Sequence, residues 1–485
     1  GGTTQIKVMM DYLDKKITNL IIPEQATYFE ALGAAVHASE LKNGHKIDLD
    51  NLFSKKSSQF DFHKPLSQFV DQVNFVELDR GIAQDGDLCV LGLDVGSTTT
   101  KIVALRESDL KIVASEYLRT NGDPVGASKQ CYQAVLNELN GTKVIFRGLG
   151  VTGSGRKIAG LHALTDGVIN EIIAHAVAAL HFDEEVETIF EIGGQDAKYT
   201  YLTNGVASDY AMNEACSAGT GSFLEESAKE TLNIEMEDIA GWALRGTNPP
   251  NFNDQCAAFI SSDIKNTYHE GIPKEDVVAG LVYSICLNYV NRVKGPRPVG
   301  NKVFMQGGVC YNKAVPIAMA ALSGKQIIVP PEPGLMGSYG VALEVKNRID
   351  NGLMDEQIFD LETLIQREVG SKPAFICAGG KEKCDIGCEV NRLVIEGKTY
   401  PFGGACNLYY NLRKKITVNT GENDLVIKRQ ELVLGKYAAN LSDLPADAPR
   451  VGISRSFLTG TYYPLFSHFF KECGIRPVLA ETVEQ

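Results

Sequence analysis

Apolar and polar positions along this chain mark a series of short strands separated by turns and helices. Residues 90–95 form an apolar run of buried-strand character, and residues 101–106 (Lys-Ile-Val-Ala-Leu-Arg) alternate as a hairpin partner would. Residues 189–192 and 303–306 are apolar runs of strand length, and each ends at a double glycine. Residues 143–146 read as a further strand and residues 166–180 as a helix. Residues 393–400 read as a hairpin. From Arg450 a strand (Val451-Gly452-Ile453), an amphipathic helix (463–473) and another strand (476–479) spell a βαβ unit.

Part of this pattern occurs twice. Gly1-Gly2 is followed by a helical stretch, by Ile21-Ile22-Pro23, and by a small-residue helix around Gly33-Ala34-Ala35. Gly307-Gly308 is followed in the same order by Ile328-Val329-Pro330 and Gly337-Ser338-Tyr339-Gly340. Both Ile/Val-Pro runs are expected as strands. Residues 1–43 are therefore expected to be the tail of a first copy of the domain at 88–350. Residues 44–87, polar and containing Lys55-Lys56-Ser57-Ser58, are expected as a linker. Residues 351–373 are expected as a connecting helix, 374–448 as a Cys-rich module, and 449–485 as the start of a further domain, with the chain cut at both ends.

Composition narrows the class. The 485 residues are 44% hydrophobic and 22% charged, as in an ordinary globular protein. A net charge of −13 argues against a nucleic-acid surface, which needs clustered positive charge. No apolar run reaches the roughly 18 residues of a membrane span. With no signal peptide and a normal core, the eleven cysteines read as thiols or metal ligands of a cytoplasmic protein.

Three strand-to-glycine junctions carry the candidate chemistry. In the first, Asp94 precedes the turn Gly96-Ser97-Thr98-Thr99, with Lys101 beyond it. In the second, Glu191 precedes Gly193-Gly194-Gln195-Asp196. Backbone N–H groups in such turns bind phosphate oxygens, and glycine permits close approach. Two turns facing each other would hold a triphosphate, with Mg2+ between Asp94 and Asp196. The third junction, Gly307-Gly308, offers a flat surface for adenosine. The Walker spacing is absent. Gly148-Leu149-Gly150-Val151-Thr152-Gly153 matches G-x-G-x-x-G, with Glu171 about twenty residues on, but no second strand is read between them, which argues against a Rossmann site.

These three junctions, in this order, resemble the superfamily of actin, sugar kinases and heat-shock ATPases. The resemblance implies a two-lobed α/β fold over 88–350 that clamps ATP. Glu191 departs from the Asp that many relatives carry. A narrower likeness follows from Gly193-Gly194-Gln195-Asp196-Ala197-Lys198, from Cys216-Ser217-Ala218-Gly219-Thr220-Gly221-Ser222-Phe223-Leu224-Glu225, and from the later helix at Cys256. These resemble the activator ATPases of 2-hydroxyacyl-CoA dehydratases and benzoyl-CoA reductases. The likeness implies that Cys216 and Cys256 supply two of the four thiolates of a [4Fe-4S] cluster. The other two would come from a second chain or from the upstream repeat. It further implies an electron donor such as ferredoxin or flavodoxin, and a dehydratase- or reductase-type partner or fused domain. Gln195 or Glu191 would orient the hydrolytic water.

Cys216 and Cys256 each stand at a helix start, where the dipole and free amides favour a thiolate. A second set, Cys377, Cys384, Cys388 and Cys406, has the spacing C-x6-C-x3-C-x17-C. It matches no zinc ribbon, so an iron–sulfur cluster, an atypical zinc site or four free thiols stand open. Cys89, Cys131, Cys286, Cys310 and Cys473 are expected to be core or surface thiols. An activator ATPase explains Cys216 and Cys256. A small-molecule kinase of the same fold has no use for them, and a nucleotide-switched redox sensor needs no partner enzyme.

Overall fold

The computed structural model describes residues 2–40, 60–77, 79–213, 220–252, 257–379, 384–416, 424–456 and 458–481. The chain divides into two compact units, Gly1–Asp61 and Phe62–Gln485.

In the first unit, helix α1 (Lys7–Asp14) and helix α2 (Phe29–Glu40) flank residues 20–23. The strand expected at Ile21-Ile22-Pro23 is not formed; the segment is irregular and Ile21 is 83% exposed. A strand needs neighbours for its backbone N–H and C=O groups, and among the described residues 2–40 there is no strand to pair with.

The second unit contains two sheets built on one plan. Strands β1 (Val73–Phe75), β2 (Leu88–Val95), β3 (Thr99–Arg106) and β4 (Ile112–Arg119) come first. Helix α3 (Pro124–Leu139), β5 (Ile145–Thr152), helix α4 (Arg156–Ala163), β6 (Gly167–Val168) and helix α5 (Glu171–Phe182) follow. The first sheet runs β4-β3-β2-β5-β6, with β2–β3–β4 an antiparallel meander and β5 parallel to β2. Then come β7 (Thr188–Ile192), β8 (Ala197–Thr203), β9 (Val206–Met212), helices α6 (Gly221–Leu232), α7 (Ile239–Ala243), α8 (Ala257–Glu270) and α9 (Lys274–Asn288), β10 (Val303–Gln306), helix α10 (Ala314–Ser323), β11 (Ile327–Val329) and helix α11 (Met336–Asp350). The second sheet runs β1-β11-β10-β7-β8-β9, again a meander, β7–β8–β9, with a parallel strand β10 beside its first member. This repeated plan is the two-lobed α/β architecture expected from the three glycine junctions.

Close packing of α11 and α5 joins the lobes. A Cβ on Gly92 of β2 would overlap the Ser338 carbonyl oxygen of α11, and one on Gly340 of α11 would overlap the Ala174 carbonyl oxygen of α5. Only glycine at both positions lets the backbones approach so closely. The same helix covers β5: a Cβ on Gly150 would stand 2.7 Å from the Val341 carbonyl oxygen.

The structure departs from several expectations. The strand expected at 143–146 begins at Ile145 and runs on to Thr152, so the G-x-G-x-x-G residues lie mostly within a strand rather than in a phosphate turn. A two-residue strand, β6, follows where none was expected, and the helix begins at Glu171 rather than Asp166. The stretch expected as a linker contributes β1, which pairs with β11, and buries Leu66 completely. In place of one connecting helix at 351–373 there is helix α12 (Leu361–Gln366), whose Leu361 and Leu364 join Phe359 in the core of the first lobe.

Beyond it, β12 (Gly370–Ile376), β13 (Glu389–Ile395) and β14 (Lys398–Gly403) make a three-stranded antiparallel sheet. The expected hairpin is the β13–β14 pair. Helix α13 (Leu408–Lys414) follows. β15 (Arg450–Ile453) and β16 (Arg476–Leu479) pair in parallel around helix Thr459–Glu472, the βαβ unit the sequence predicts. Among the described residues no helix is long and apolar enough to cross a membrane.

The helix–strand contacts generate a stability prediction. Gly340→Ala should destabilise the chain by about 1–3 kcal/mol or more, the cost of overpacking a closed contact. Gly241→Ala, whose added methyl meets only the tip of Arg245, should be neutral or stabilising. Denaturant midpoints would test this, and equal midpoints would contradict the packing described.

Candidate functional site

The two phosphate-turn candidates face each other across the cleft between the lobes. In the first turn, Gly96 N–H donates to the Thr99 carbonyl at 3.0 Å, and the Thr120 hydroxyl donates to the Gly96 carbonyl at 2.8 Å. In the second, Gly193 N–H donates to the Asp196 carbonyl at 2.8 Å. A Cβ on Gly194 would stand 3.5 Å from the Thr98 methyl, which measures how closely the turns approach. One cavity is lined by Asp94, Gly96, Ser97, Thr98, Thr99 and Lys101 from one side. Glu191, Gly193, Gly194, Gln195, Asp196 and Lys198 line the other.

Each turn carries a carboxylate–lysine pair set by strand register. Asp94 lies opposite Lys101, and Glu191 opposite Lys198. Lys101 Nζ is 3.1 Å from Asp94 Oδ2, and Lys198 Nζ is 2.9 Å from Glu191 Oε1. His175 Nε2 stands 3.3 Å from Glu191 Oε2. Burial alone would raise the Glu191 pKa, but the charges of His175 and Lys198 outweigh it and hold the carboxyl at about 2. Burial would lower the Lys101 pKa, but the charge and hydrogen bond of Asp94 together with Tyr117 and Glu191 outweigh it, so that pKa is raised.

These pairs separate the roles of the acidic residues. Both Glu191 oxygens are engaged, one by Lys198 and one by His175, which suits an electrostatic post better than a water-orienting base. Gln195 and Asp196 line the cleft beside it. Lys198 and His175 were not among the expected site residues, although a carboxylate and a lysine seven positions apart recur in both junctions. Glu171, met in the sequence beside a misleading nucleotide motif, lines this cleft with Gly153, Ser154 and His175.

The cleft is lined by groups of the kind that bind phosphate and a hard cation. Asp94 and Asp196 supply hard oxygen donors, as Mg2+ requires. Thr98 Oγ1 and Thr152 Oγ1 are buried without a hydrogen-bond partner, and Thr152 lies opposite Asp94 in the sheet. Gly153 (φ +86°) permits the chain to pass at 2.5 Å from Asp94 Oδ1, measured from a built Cβ, where a side chain would crowd the carboxylate. Gly307 (φ +100°) packs on the Ile192 backbone, and Gly308 faces the Tyr117 hydroxyl. Beside them Gln306 is fully buried, opposite Glu191, with both side-chain amide atoms unpartnered.

Cys216, Gly219 and Cys256 lie outside the described residues. The flanks of the Cys216 segment are described, and both are tied to the second turn. On one side the Asn213 side chain accepts from Ala197 N–H at 2.8 Å and donates to the Gln195 carbonyl at 3.1 Å. On the other, Thr220 begins α6, whose Gly221 and Ser222 N–H groups donate to the Gly193 and Gly194 carbonyls, each at 2.9 Å. Among the second cysteine set, Cys377 and Cys388 are half-buried and Cys384 and Cys406 exposed. Cys89, Cys131, Cys286 and Cys310 are buried, as expected of core thiols, and Cys473 is exposed.

Residues 91–345 match the model of the BadF/BadG/BcrA/BcrD ATPase family, and the chain belongs to that family. It is 34% identical over 258 residues to the 2-hydroxyisocaproyl-CoA dehydratase activator of Clostridioides difficile, covering 52% of this chain and 93% of the relative. It is 30% identical over 256 residues to the (R)-2-hydroxyglutaryl-CoA dehydratase activating ATPase of Acidaminococcus fermentans, covering 52% and 95%. One subunit of the benzoyl-CoA reductase of Thauera aromatica is 24% identical over 233 residues, covering 46% and 79%. A solved structure of the Clostridium difficile activator with bound ADPNP superposes with a TM-score of 0.49 at 30% identity, covering 55% of this chain and 97% of that one.

The Glu191 environment predicts a pH dependence. A carboxyl held at about 2 against an ordinary 4.5 contributes stability that is complete above pH 4.5 and lost as pH falls toward 2. Glu191→Gln should therefore flatten the stability loss in that window, read from denaturant midpoints between pH 5 and pH 2.5. An unchanged slope would mean that Glu191 is not held as an anion by its two cations.

Proposed function

We propose that this ATPase is a nucleotide-driven electron-transfer activator of a 2-hydroxyacyl-CoA dehydratase-like or benzoyl-CoA reductase-like partner. The observation that carries the reading is the pair of tethers joining the second phosphate turn to both ends of the Cys216 segment. Any change in the 193–196 turn on nucleotide binding reaches that segment through Asn213 on one side and the first amides of α6 on the other.

In this mechanism the amides of the 96–98 and 193–195 turns bind phosphate oxygens. Asp94 and Asp196 would hold Mg2+, whose charge would offset that of the phosphates. Lys101 and Lys198 keep the two strand-end carboxylates compensated while the triphosphate enters. Gln195, with its backbone carbonyl held by Asn213, orients the attacking water. Adenosine lies against Gly307-Gly308. Cys216 and Cys256 would hold half of a [4Fe-4S] cluster, with the other two thiolates supplied by a second copy of the domain in another chain or in the repeat that includes residues 1–43. The cluster supplies one-electron chemistry, and a ferredoxin or flavodoxin is the donor. The setting is cytoplasmic, and the βαβ unit at 450–479 opens a dehydratase-like part. The activator functions of the relatives support this reading at the level of activating CoA-ester enzymes.

Two measurements test it. Asp94→Asn and Asp196→Ala should each lower ATP hydrolysis by on the order of 10²-fold; normal turnover in Asp196→Ala would refute the site. Protein purified without oxygen should be brown and contain iron and sulfide, and Cys216→Ala and Cys256→Ala should each lower that content by the same amount, the share of one common cluster, while ATP hydrolysis persists. A wild-type protein that hydrolyses ATP but never reduces a low-potential acceptor would refute the electron-transfer role.

A further inference from the structure

We propose that Cys377, Cys384, Cys388 and Cys406 form a second, thiolate-ligated metal site at one end of the β12–β13–β14 sheet, independent of Cys216 and Cys256.

Strand register places Cys377 beside Cys388 and leads the chain towards Cys406 at the same end of the sheet. Ile376 pairs with Glu389, so Cys377 and Cys388 are the next residues on facing strands, and Cys377 N–H donates to the Cys388 carbonyl at 2.8 Å. Val390 pairs with Gly403, so the third strand carries Gly404, Ala405 and Cys406 past the same end. Gly403 (φ +106°) and Gly404 (φ +89°) adopt backbone conformations that only glycine takes without strain. A Cβ on Gly404 would stand 3.9 Å from the Cys388 Cβ. Cys384 is tied back to the same corner by its N–H, which donates to the Gly379 carbonyl at 3.4 Å.

Two independent features mark the corner as a site for a negatively charged thiolate centre. First, backbone amides already point at sulfur. Gly379 N–H donates to Cys377 Sγ and Ala405 N–H to Cys388 Sγ, each at 3.4 Å. Such donors are what a metal-bound thiolate needs around it. Second, a small cavity beside Cys406 and Tyr409 is lined by Lys157 and Arg413. The Arg413 guanidinium lies 5.3 Å from the Tyr410 ring. Four thiolates around a divalent ion, or around a [4Fe-4S] core, leave a net negative charge that these cations would balance.

Among the described residues no three ligating side chains already converge on one point. Cys384 and Cys406 are exposed, so a metal would draw this outer pair in towards Cys377 and Cys388. The ligand class is a thiophilic ion, zinc or iron, taken up with release of thiol protons.

The test uses the full chain carrying Cys216→Ala and Cys256→Ala, so that it does not depend on the cluster proposed above. Metal, iron and sulfide content are measured after anaerobic purification, and Co2+ is titrated under reducing conditions. About one equivalent of zinc, or iron with sulfide, should be present. Co2+ should give the colour and thiolate charge-transfer absorption of a tetrahedral sulfur site. Adding Cys377→Ser or Cys388→Ser should weaken Co2+ binding at least tenfold, with circular dichroism showing an unchanged fold. A protein without metal that develops no thiolate–Co2+ absorption would overturn the proposal. So would absorption that both serine variants leave intact.

Discussion

Two carboxylates stand at strand ends on opposite walls of one narrow cleft, and the rest of the site depends on how their charge is handled. Asp94 and Glu191 would repel each other, and any entering triphosphate, in a place largely shielded from water. Each is therefore paired by strand register with a lysine seven residues later. The hairpins β2–β3 and β7–β8 deliver Lys101 and Lys198 to these positions. Glu191 takes a second contact from His175 on α5, the helix that also packs against α11. The electrostatics of the cleft and the packing that joins the lobes thus share an element.

Because α11 sits on β2 through Gly92, on β5 through Gly150 and on α5 through Gly340, the lobes are joined by backbone contact rather than by flexible side chains. Close-packed contacts of this kind have few alternative arrangements. The Asn213 clamp and the first amides of α6 join the 193–196 turn to the stretch that carries Cys216. The 193–196 turn is therefore tied to both flanks of the Cys216 stretch.

The C-terminal module repeats a theme at smaller scale. A short sheet places cysteines at one corner, Gly403 and Gly404 take left-handed backbone there, amides donate to two of the sulfur atoms, and Lys157 and Arg413 line the cavity beside Cys406. In both regions backbone geometry, more than side-chain reach, decides what can be bound.

Much of this is legible in the order of residues. The hairpin after Asp94, the strand before Gly193, the β13–β14 hairpin and the βαβ unit at 450–479 follow from short-range alternation and turn residues, because local sterics and hydrogen bonding specify them. The pairing of Glu191 with Lys198 is also written locally, but that with His175 is not: His175 reaches Glu191 from a helix 16 residues upstream, and only the packing of α5 puts it there. The glycines of 148–153 mislead for the same reason. They look like a phosphate turn in sequence, whereas Gly148 and Gly150 are small because Val341, Val345 and Ile349 of α11 press on them. Ile21-Ile22-Pro23 resembles the strand at 327–329 yet forms none, since a strand is completed by its neighbours. Local chemistry set the turns and hairpins, and long-range backbone approach decided which charges meet.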